Sequence, residues 1–499
     1  MNGITTFIPN RFQEAIYDFI SDETKGNLII EGLAGTAKTH TIVEALNSIP
    51  RNKDVVFLAY NRHIAAELRK KAPSWIEVRT THSMGLKAII EFNKERKTNS
   101  RDHQYKIYTI LDNIVKDRNQ EYAKKRNKAE IIADRTYRDS RSKIKHIIDH
   151  FRNNLLIVNE ENLEYIMLKY DISIISLSIN TILDLIIKTL EADKADTLHV
   201  DYGDMLYLPT TMLMPFEKYD YVFCDESQDL NESQIRMLLM LRKPDGHIIA
   251  VGDRKQSLYG FRGADTEAME KIKLATDGIS LPLNICYRCP KSHIRLANKY
   301  VPEMEPAPDA IEGDVKEIGF EELEEFIKPG DLAICRNNAP LVKPALDLLR
   351  HGIKVNIRGK DIKSSLVELI KKTGTGDIET MKEMLISHLE SEVKILKEKN
   401  KNPSFIIDKV EIILEFAELV ETPKELISYI YKLFSDENAE ITFSTVHGAK
   451  GMEADNIFFI KPSLIPSTYA RQDWELQGEA NIMYVALTRS KKTLYIVEE

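Results

Sequence analysis

An apolar strand, Leu28-Ile29-Ile30, runs straight into Gly-Leu-Ala-Gly-Thr-Ala-Lys-Thr at 32–39, and a helical pattern, Ile42-Val43-Ala45-Leu46, follows. Strand, Gly-rich turn and Lys-Thr helix start are the context a phosphate loop needs. In such a turn the backbone N–H groups of Gly32, Leu33, Ala34, Gly35, Thr36 and Ala37 surround phosphate, helped by the helix N-terminus. Lys38 is placed to reach the outer phosphates of a triphosphate, and Thr39 to offer its hydroxyl to Mg²⁺. One position departs from G-x-x-x-x-G-K-[ST]: Ala37 stands where glycine is usual. If that position is left-handed, its methyl costs energy. If it is right-handed, the methyl is harmless. An incidental lysine in a Gly-rich turn is the bland alternative.

The second constraint is acidic. Residues 219–224, YDYVFC, read as a buried strand ending in Asp225-Glu226-Ser227-Gln228-Asp229. A carboxylate at such a strand end can hold Mg²⁺ and its neighbour can polarise a water, so Asp225 is the candidate metal residue and Glu226 the candidate general base. Adjacent acids are common on solvated loops. Beside a phosphate loop in the same chain they point to ATP hydrolysis, with ATP and Mg²⁺ as the expected cofactors.

The chain has 499 residues, long enough for several domains. No secretory leader, lipidation motif or apolar run of membrane-spanning length is evident, so a soluble, cytoplasmic protein with no membrane association is expected. Its four cysteines suit a reducing compartment. Cys286 and Cys289 form a C-x-x-C pair, but without a second pair or histidines at zinc spacing they read as two small thiols. Net charge is −8, yet Glu91–Asn154 carries 17 Lys and Arg against 10 Asp and Glu, while Asp361–Glu440 carries 11 against 17. A basic module inside an acidic chain suits a focused phosphate-binding surface. A solvated helical face would look the same.

Short apolar strands alternate with helical segments in 26–84, 202–280, 281–360 and 441–499, which predicts parallel α/β structure. Residues 86–200 and 361–440 break that rhythm and read as helical insertions; 302–308, PEMEPAP, reads as a surface loop.

The remaining motifs resemble those of superfamily 1A DNA helicases of the UvrD/Rep type, across both α/β cores and weakly in the insertions. FIPNRFQEAI at 7–16 resembles the glutamine motif, which implies that Gln13 reads adenine. FLAYNRHIAAELR at 57–69 resembles motif Ia and Thr80-Thr81-His82-Ser83 motif Ib, which makes Asn61, Arg62, Thr81 and His82 candidate DNA contacts; helix capping by Asn and Ser is the local alternative. VGDRKQSLYGFRGA at 251–264 is the most specific match, to motif III. It implies that Gln256 senses the γ-phosphate and that Tyr259, Phe261 and Arg262 border the DNA track, Phe261 replacing the family's usual tryptophan but still offering a stacking face. LPLNICYRCP at 281–290 resembles motif IV, implying adenine stacking by Tyr287 and a γ-phosphate contact by Arg288. AICRNNA at 333–339 adds Arg336 as a DNA or interface residue.

TFSTVHGAKGME at 442–453 resembles motif V, with Thr445 and His447 facing DNA, Gly451 near the γ-phosphate and Glu453 on the ribose. YVALTR at 484–489 resembles motif VI, with Arg489 as a second arginine finger. Val200–Leu206 resembles the acidic box that precedes motif II.

The resemblance implies two RecA-like parallel-sheet domains with helical insertions: 1A at 1–85 and 201–280, 1B at 86–200, 2A at 281–360 and 441–499, and a short 2B at 361–440. It implies ATP between the two cores, movement along single-stranded DNA, 3′→5′ polarity and unwinding of tailed duplex DNA. A monomer or weak dimer is expected. With the chain ending just after Arg489, no nuclease domain is expected. Three alternatives stay open: a DNA-stimulated ATPase that remodels complexes without processive unwinding, a nucleotide-gated DNA-binding module suggested by Ala37, and a P-loop kinase or GTPase. The last is disfavoured by the motif III and VI matches and by the lack of a guanine-reading N-K-x-D.

Overall fold

The computed structural model describes residues 8–59, 61–94, 105–170, 172–174, 176–257, 267–358, 360–398, 403–433 and 439–498. The chain divides into two compact units. One comprises 1–32 with 38–283, the other 33–37 with 284–499.

In the first unit six strands form a fully parallel sheet: β1 (Leu28–Gly32), β2 (Val55–Ala59), β3 (Glu77–Thr80), β4 (Tyr219–Cys224), β5 (Arg242–Gly252) and β6 (Ile279–Leu283), in the order β3-β2-β4-β5-β1-β6. The sheet is apolar on both faces, as parallel sheets covered by crossover helices must be. The period of two sorts its residues: Leu28, Ile30 and Phe57 pack into one core, and Ile29, Val56 and Leu58 into another. This is the parallel α/β sheet expected from the sequence.

The helices Lys106–Lys124, Asp134–Asn154, Glu160–Lys169 and Ile179–Ala195 build a separate core around Leu111, Ile144, Ile148, Phe151, Ile166 and Leu185. Where the chain returns from them, buried charges form a joint. Arg152 Nη2 bonds Asp201 Oδ1 at 2.6 Å and Asp204 Oδ1 at 2.5 Å, while Lys106 Nζ bonds Asp193 and Asp204, each at 2.8 Å. A Cβ on Gly203 would stand 2.8 Å from the Arg152 guanidinium carbon, so a side chain there would have to displace that guanidinium from its carboxylates. Removing one member of such a buried group leaves an uncompensated charge, which costs about 3–5 kcal/mol.

In the second unit a two-residue parallel ladder joins β7 (Ile285–Cys286) to β8 (Glu305–Pro306). The expected surface loop at 302–308 is thus partly ordered pairing, anchored by buried Met304 and Ala307. A second parallel sheet contains β9 (Asp314–Gly319), β10 (Leu332–Cys335), β11 (Val355–Ile357), β12 (Ile441–Thr445), β13 (Ala454–Ile460) and β14 (Ser490–Glu498), in the order β11-β12-β10-β13-β14-β9. The helices Lys360–Thr373, Ile378–Glu398, Ser404–Ala417 and Pro423–Leu433 share one core with this sheet: Leu366, Met381, Ile413, Phe416 and Ile430 cluster with Cys335, Val355 and Phe443. Among the described residues they form no core separate from it.

Candidate nucleotide and nucleic-acid site

In a parallel sheet every strand delivers its loop to the same carboxyl edge, which is where ligands of α/β folds bind. In the first unit β4 and β5 deliver Asp225–Asp229 and Asp253–Gln256 there, and the helix Lys38–Leu46 begins just beyond the turn that follows β1. The side chains meet. Thr39 Oγ1 donates to Asp225 Oδ2 at 3.2 Å, and Asp225 Oδ1 accepts from the Glu226 N–H at 2.9 Å. Burial pushes the Asp225 carboxyl up to about 6 and Glu226 adds to that, while the Lys38 ammonium opposes both. Lys38, Thr39 and the two acids therefore share one electrostatic neighbourhood.

Two backbone positions here are left-handed without being glycine. Ala37 has φ +59° and Glu226 φ +53°. The alternative left open by the sequence at Ala37 is thereby resolved: the residue occupies the conformation a glycine would take more cheaply, at a cost of about 1–2 kcal/mol. Such strain gathers where surrounding contacts hold a functional geometry in place.

Beyond Glu226 the contacts continue. Gln228 Nε2 donates to Glu226 Oε2 at 2.5 Å and Gln228 Oε1 accepts from the Asp253 N–H at 3.1 Å. Buried Gln256 donates to Asp253 Oδ2 at 2.8 Å. Gln13 is directed inward instead. It is 0% exposed, its Oε1 accepts from the Asn10 N–H at 3.0 Å in a capping box, and its Nε2 donates to Thr41 Oγ1 at 2.9 Å.

The candidate DNA residues of this unit lie at the ends of β2 and β3. Exposed Asn61 caps the helix Arg62–Lys71, its Oδ1 accepting from the Ile64 N–H at 2.9 Å, and Arg62 opens that helix to solvent. Thr80 and Ser83 cap the next helix reciprocally, and Thr81 is buried, accepting from Gln234 Nε2 at 3.0 Å. The His82 ring stacks on Tyr202 with centroids 3.8 Å apart, and Tyr202 remains 59% exposed. Burial, with the Arg62 charge adding, pushes the His82 imidazole down to about 4, so it is neutral at pH 7. Tyr259, Phe261 and Arg262 lie outside the described residues.

In the second unit, Tyr287 is half-exposed and follows β7. Arg288 Nε pairs with Glu453 Oε2 at 2.5 Å, and Lys491 takes Glu453 Oε1 at 2.7 Å. Burial opposes ionisation of Glu453, but Lys491 and Arg288 hold its carboxyl below the ordinary range. Arg489 is only 1% exposed; its Nε donates to Val485 O at 2.9 Å, Nη1 to Met452 O at 3.4 Å and Nη2 to Thr488 Oγ1 at 3.1 Å. Arg336 makes a forked pair with buried Glu479, the shortest arm 2.7 Å. Thr445 ends β12 and accepts from the Gly448 N–H at 3.2 Å; His447 is half-buried in the turn that follows, and Gly451 takes φ +82°.

The turn Leu33–Ala37 groups with this unit. The Ala34 N–H donates to Tyr484 Oη at 2.7 Å and the Tyr287 N–H to Gly35 O at 2.8 Å. Gly35 combines φ +69° with a missing side chain, since a Cβ would lie 2.7 Å from Arg288 Cβ and 2.8 Å from Cys286 Sγ. Cys286 and Cys289 are buried free thiols, the Cys289 N–H donating to Cys286 Sγ at 3.3 Å. Among the described residues no cluster of three or more His, Cys, Asp or Glu side chains could hold a metal by itself, and no helix is long and apolar enough to cross a membrane.

Comparison with known families settles the class. Residues 13–276 match the UvrD/REP helicase N-terminal domain, and residues 281–498 match the UvrD-like helicase C-terminal domain. The chain belongs to the UvrD/Rep helicase family. It is similar to the F-box DNA helicase protein 1 of Schizosaccharomyces pombe, 23% identical over 94% of this chain and 55% of that protein. It is also similar to the ATP-dependent DNA helicase PcrA of Staphylococcus aureus (23% identical, 56% of this chain, 55% of that one) and to the ATP-dependent DNA helicase Rep of Buchnera aphidicola (23% identical, 53% and 38%). The chain thus spans about half the length, or less, of these curated relatives.

Within this UvrD/Rep chain, two residues of the candidate site escaped the sequence reading. Tyr202 was visible only as part of an acidic box, because its partner His82 is 120 positions away in sequence. Gln228 sat inside a motif whose two acids drew the attention. Its burial against Gly252 is a tertiary fact.

Proposed function

We propose that this chain hydrolyses ATP with Mg²⁺, couples hydrolysis to 3′→5′ movement along single-stranded DNA, and separates the strands of tailed duplex DNA. The observation that carries the reading is the meeting of Thr39 with Asp225, from segments 186 residues apart, beside Lys38 and Glu226. A hydroxyl and a carboxylate are the hard oxygen donors Mg²⁺ takes, and sites that complete their shell with nucleotide phosphates and water need only one or two protein carboxylates. Bound there, Mg²⁺ would neutralise charge developing on the phosphates.

The rest falls to the protein's own groups. Lys38 supplies positive charge and Glu226 orients and deprotonates the attacking water. Gln256 couples the end of β5 to the nucleotide. From the second unit, Tyr287, Gly451 and Glu453 contribute to nucleotide binding, and Arg288 and Arg489 to turnover. Asn61, Arg62 and the Tyr202–His82 stack offer a strand a hydrogen-bonding, a cationic and an aromatic surface, which together grip DNA without reading sequence. Domain bounds 1A, 1B, 2A and 2B as given above belong to this proposal.

The test uses duplexes bearing a 3′ or a 5′ single-stranded tail. ATP-dependent displacement from the 3′-tailed substrate alone is the expected result. Displacement from the 5′ tail alone reverses the polarity, and DNA-stimulated ATP turnover without displacement reduces the function to translocation or remodelling.

A further inference from the structure

Glu226 stands at φ +53°, in the left-handed region, and its carboxylate is held from within its own loop. Gln228, 3% exposed in the short turn Ser227–Asp229, holds it with one end of its amide: Nε2 donates to Glu226 Oε2 at 2.5 Å. The other end is fixed to a different loop, Oε1 accepting from the Asp253 N–H at 3.1 Å. Asp253 in turn organises the turn after β5, its Oδ1 accepting from the Lys255 N–H at 3.0 Å and its Oδ2 from Gln256 Nε2 at 2.8 Å. Ser227 Oγ adds a second tie to the same strand by donating to Val251 O at 2.8 Å.

Space is reserved for this arrangement. A Cβ on Gly252 would stand 2.2 Å from Gln228 Oε1 and 3.0 Å from Gln228 N. A side chain at 252 would therefore have to displace the Gln228 amide, and Met269 Sδ at 2.9 Å as well. An amide suits the task chemically. It donates at one end and accepts at the other, so it can face a carboxylate and a backbone N–H at once, as neither a carboxylate nor an alkyl side chain can.

We infer that Gln228 is a positioning residue for ATP hydrolysis: it aims the Glu226 carboxylate and ties that aim to the Asp253–Gln256 turn, so that displacement of the turn is transmitted to the base. The inference rests on the reading of Glu226 as general base. In sequence the Asp253–Gln256 turn precedes Tyr259, Phe261 and Arg262, and on the proposal that these border a DNA strand, Gln228 is the side chain by which a bound strand reaches the base.

The experiment measures steady-state ATP hydrolysis by the full chain with and without oligothymidylate, together with binding of a fluorescent non-hydrolysable ATP analogue and thermal unfolding. Gln228→Met keeps the length and removes both hydrogen bonds. Misplacing a catalytic group by about 1 Å can cost about 100-fold. The expected result is a kcat lowered about 10- to 100-fold, KM and analogue affinity held within about two-fold, and a smaller stimulation by oligothymidylate. Gly252→Ala, whose methyl would press on the Gln228 amide and on Met269 Sδ, should lower kcat in the same direction. If Gln228→Met does not fold, Gln228→Asn reads the same quantities with the amide retracted by one methylene, and an intermediate loss of kcat is expected.

An unchanged kcat in a folded variant overturns the inference. So does a parallel fall in kcat, analogue affinity and unfolding temperature, which marks a merely structural amide. Glu226→Gln runs alongside. If it retains turnover, the general-base reading fails by itself; if it is inactive while Gln228→Met is not, only the inference about Gln228 fails.

Discussion

In the first unit the residues assigned to hydrolysis reach one another through side chains: Thr39 to Asp225, Glu226 to Gln228, Gln228 to the Asp253 amide and Asp253 to Gln256. In the second unit the two assigned arginines are held by neighbours of their own, Arg288 by Glu453 and Arg489 by two backbone carbonyls and the Thr488 hydroxyl. On the proposed function, the first set is the assembled, preorganised half of the hydrolytic machinery and the second is the half that exchanges partners during turnover.

The largest expected effect breaks the assembled half. Lys38→Ala should abolish ATP turnover while single-stranded DNA binding, followed by fluorescence anisotropy, stays measurable; retained turnover would reject the site. Arg489→Ala tests the other half. On the arginine-finger precedent it should lower kcat by about 1,000-fold or more with nucleotide affinity within a few-fold. A matched loss of affinity and unfolding temperature would show that its contacts to Val485, Met452 and Thr488 serve the fold instead.

Tyr202→Ala asks whether the exposed ring stacked on His82 grips a strand. Loss of one base–aromatic stack is worth about 1–3 kcal/mol, so single-strand affinity should fall about 5- to 150-fold. Binding unchanged within two-fold would remove Tyr202 from the DNA surface.

The contrast also presumes an intact first unit, and acid tests that. Burial, with His146 and Lys169 adding, pushes the His150 imidazole down to about 3, and its ring stacks on Tyr170 at 3.5 Å. A histidine depressed on folding takes up its proton more readily when unfolded. Its contribution is complete above the ordinary value of 6.5 and is lost as pH falls from there towards about 3, at a slope of about 1.4 kcal/mol per pH unit. Unfolding midpoints across that range should flatten in His150→Phe, which keeps the stack; an identical slope would place the sensitivity elsewhere. The smallest effect belongs to Ala37→Gly, which should relieve the left-handed strain of about 1–2 kcal/mol and leave turnover equal or better. Inactivation would give the methyl a role of its own.

How legible this was depended on the range of the interactions. The strands at 28–30 and 219–224 follow from local composition, and the structure places both in one parallel sheet. The capping box between Asn10 and Gln13 was also within reach, since N-x-x-Q at a helix start predicts it, and it accounts for an amide that a nucleotide motif alone would turn outward. Other features were not available. The φ of Ala37 is set by the loop around it, the burial of Arg489 by the turn at Met452, and the stack of His82 on Tyr202 by a return of the chain after four helices. The two insertions read alike as helical, yet one has its own core and a buried charged joint while the other shares the core of a sheet. Periodicity reports a buried face but not what that face is buried against.

The most direct test of the central claim is ATP turnover by the full chain in Mg²⁺, measured with and without single-stranded DNA and compared with Glu226→Gln. The account predicts slow turnover alone, strong stimulation by the strand, and neither in Glu226→Gln. Turnover that is indifferent to the strand, or that survives in Glu226→Gln, would contradict it.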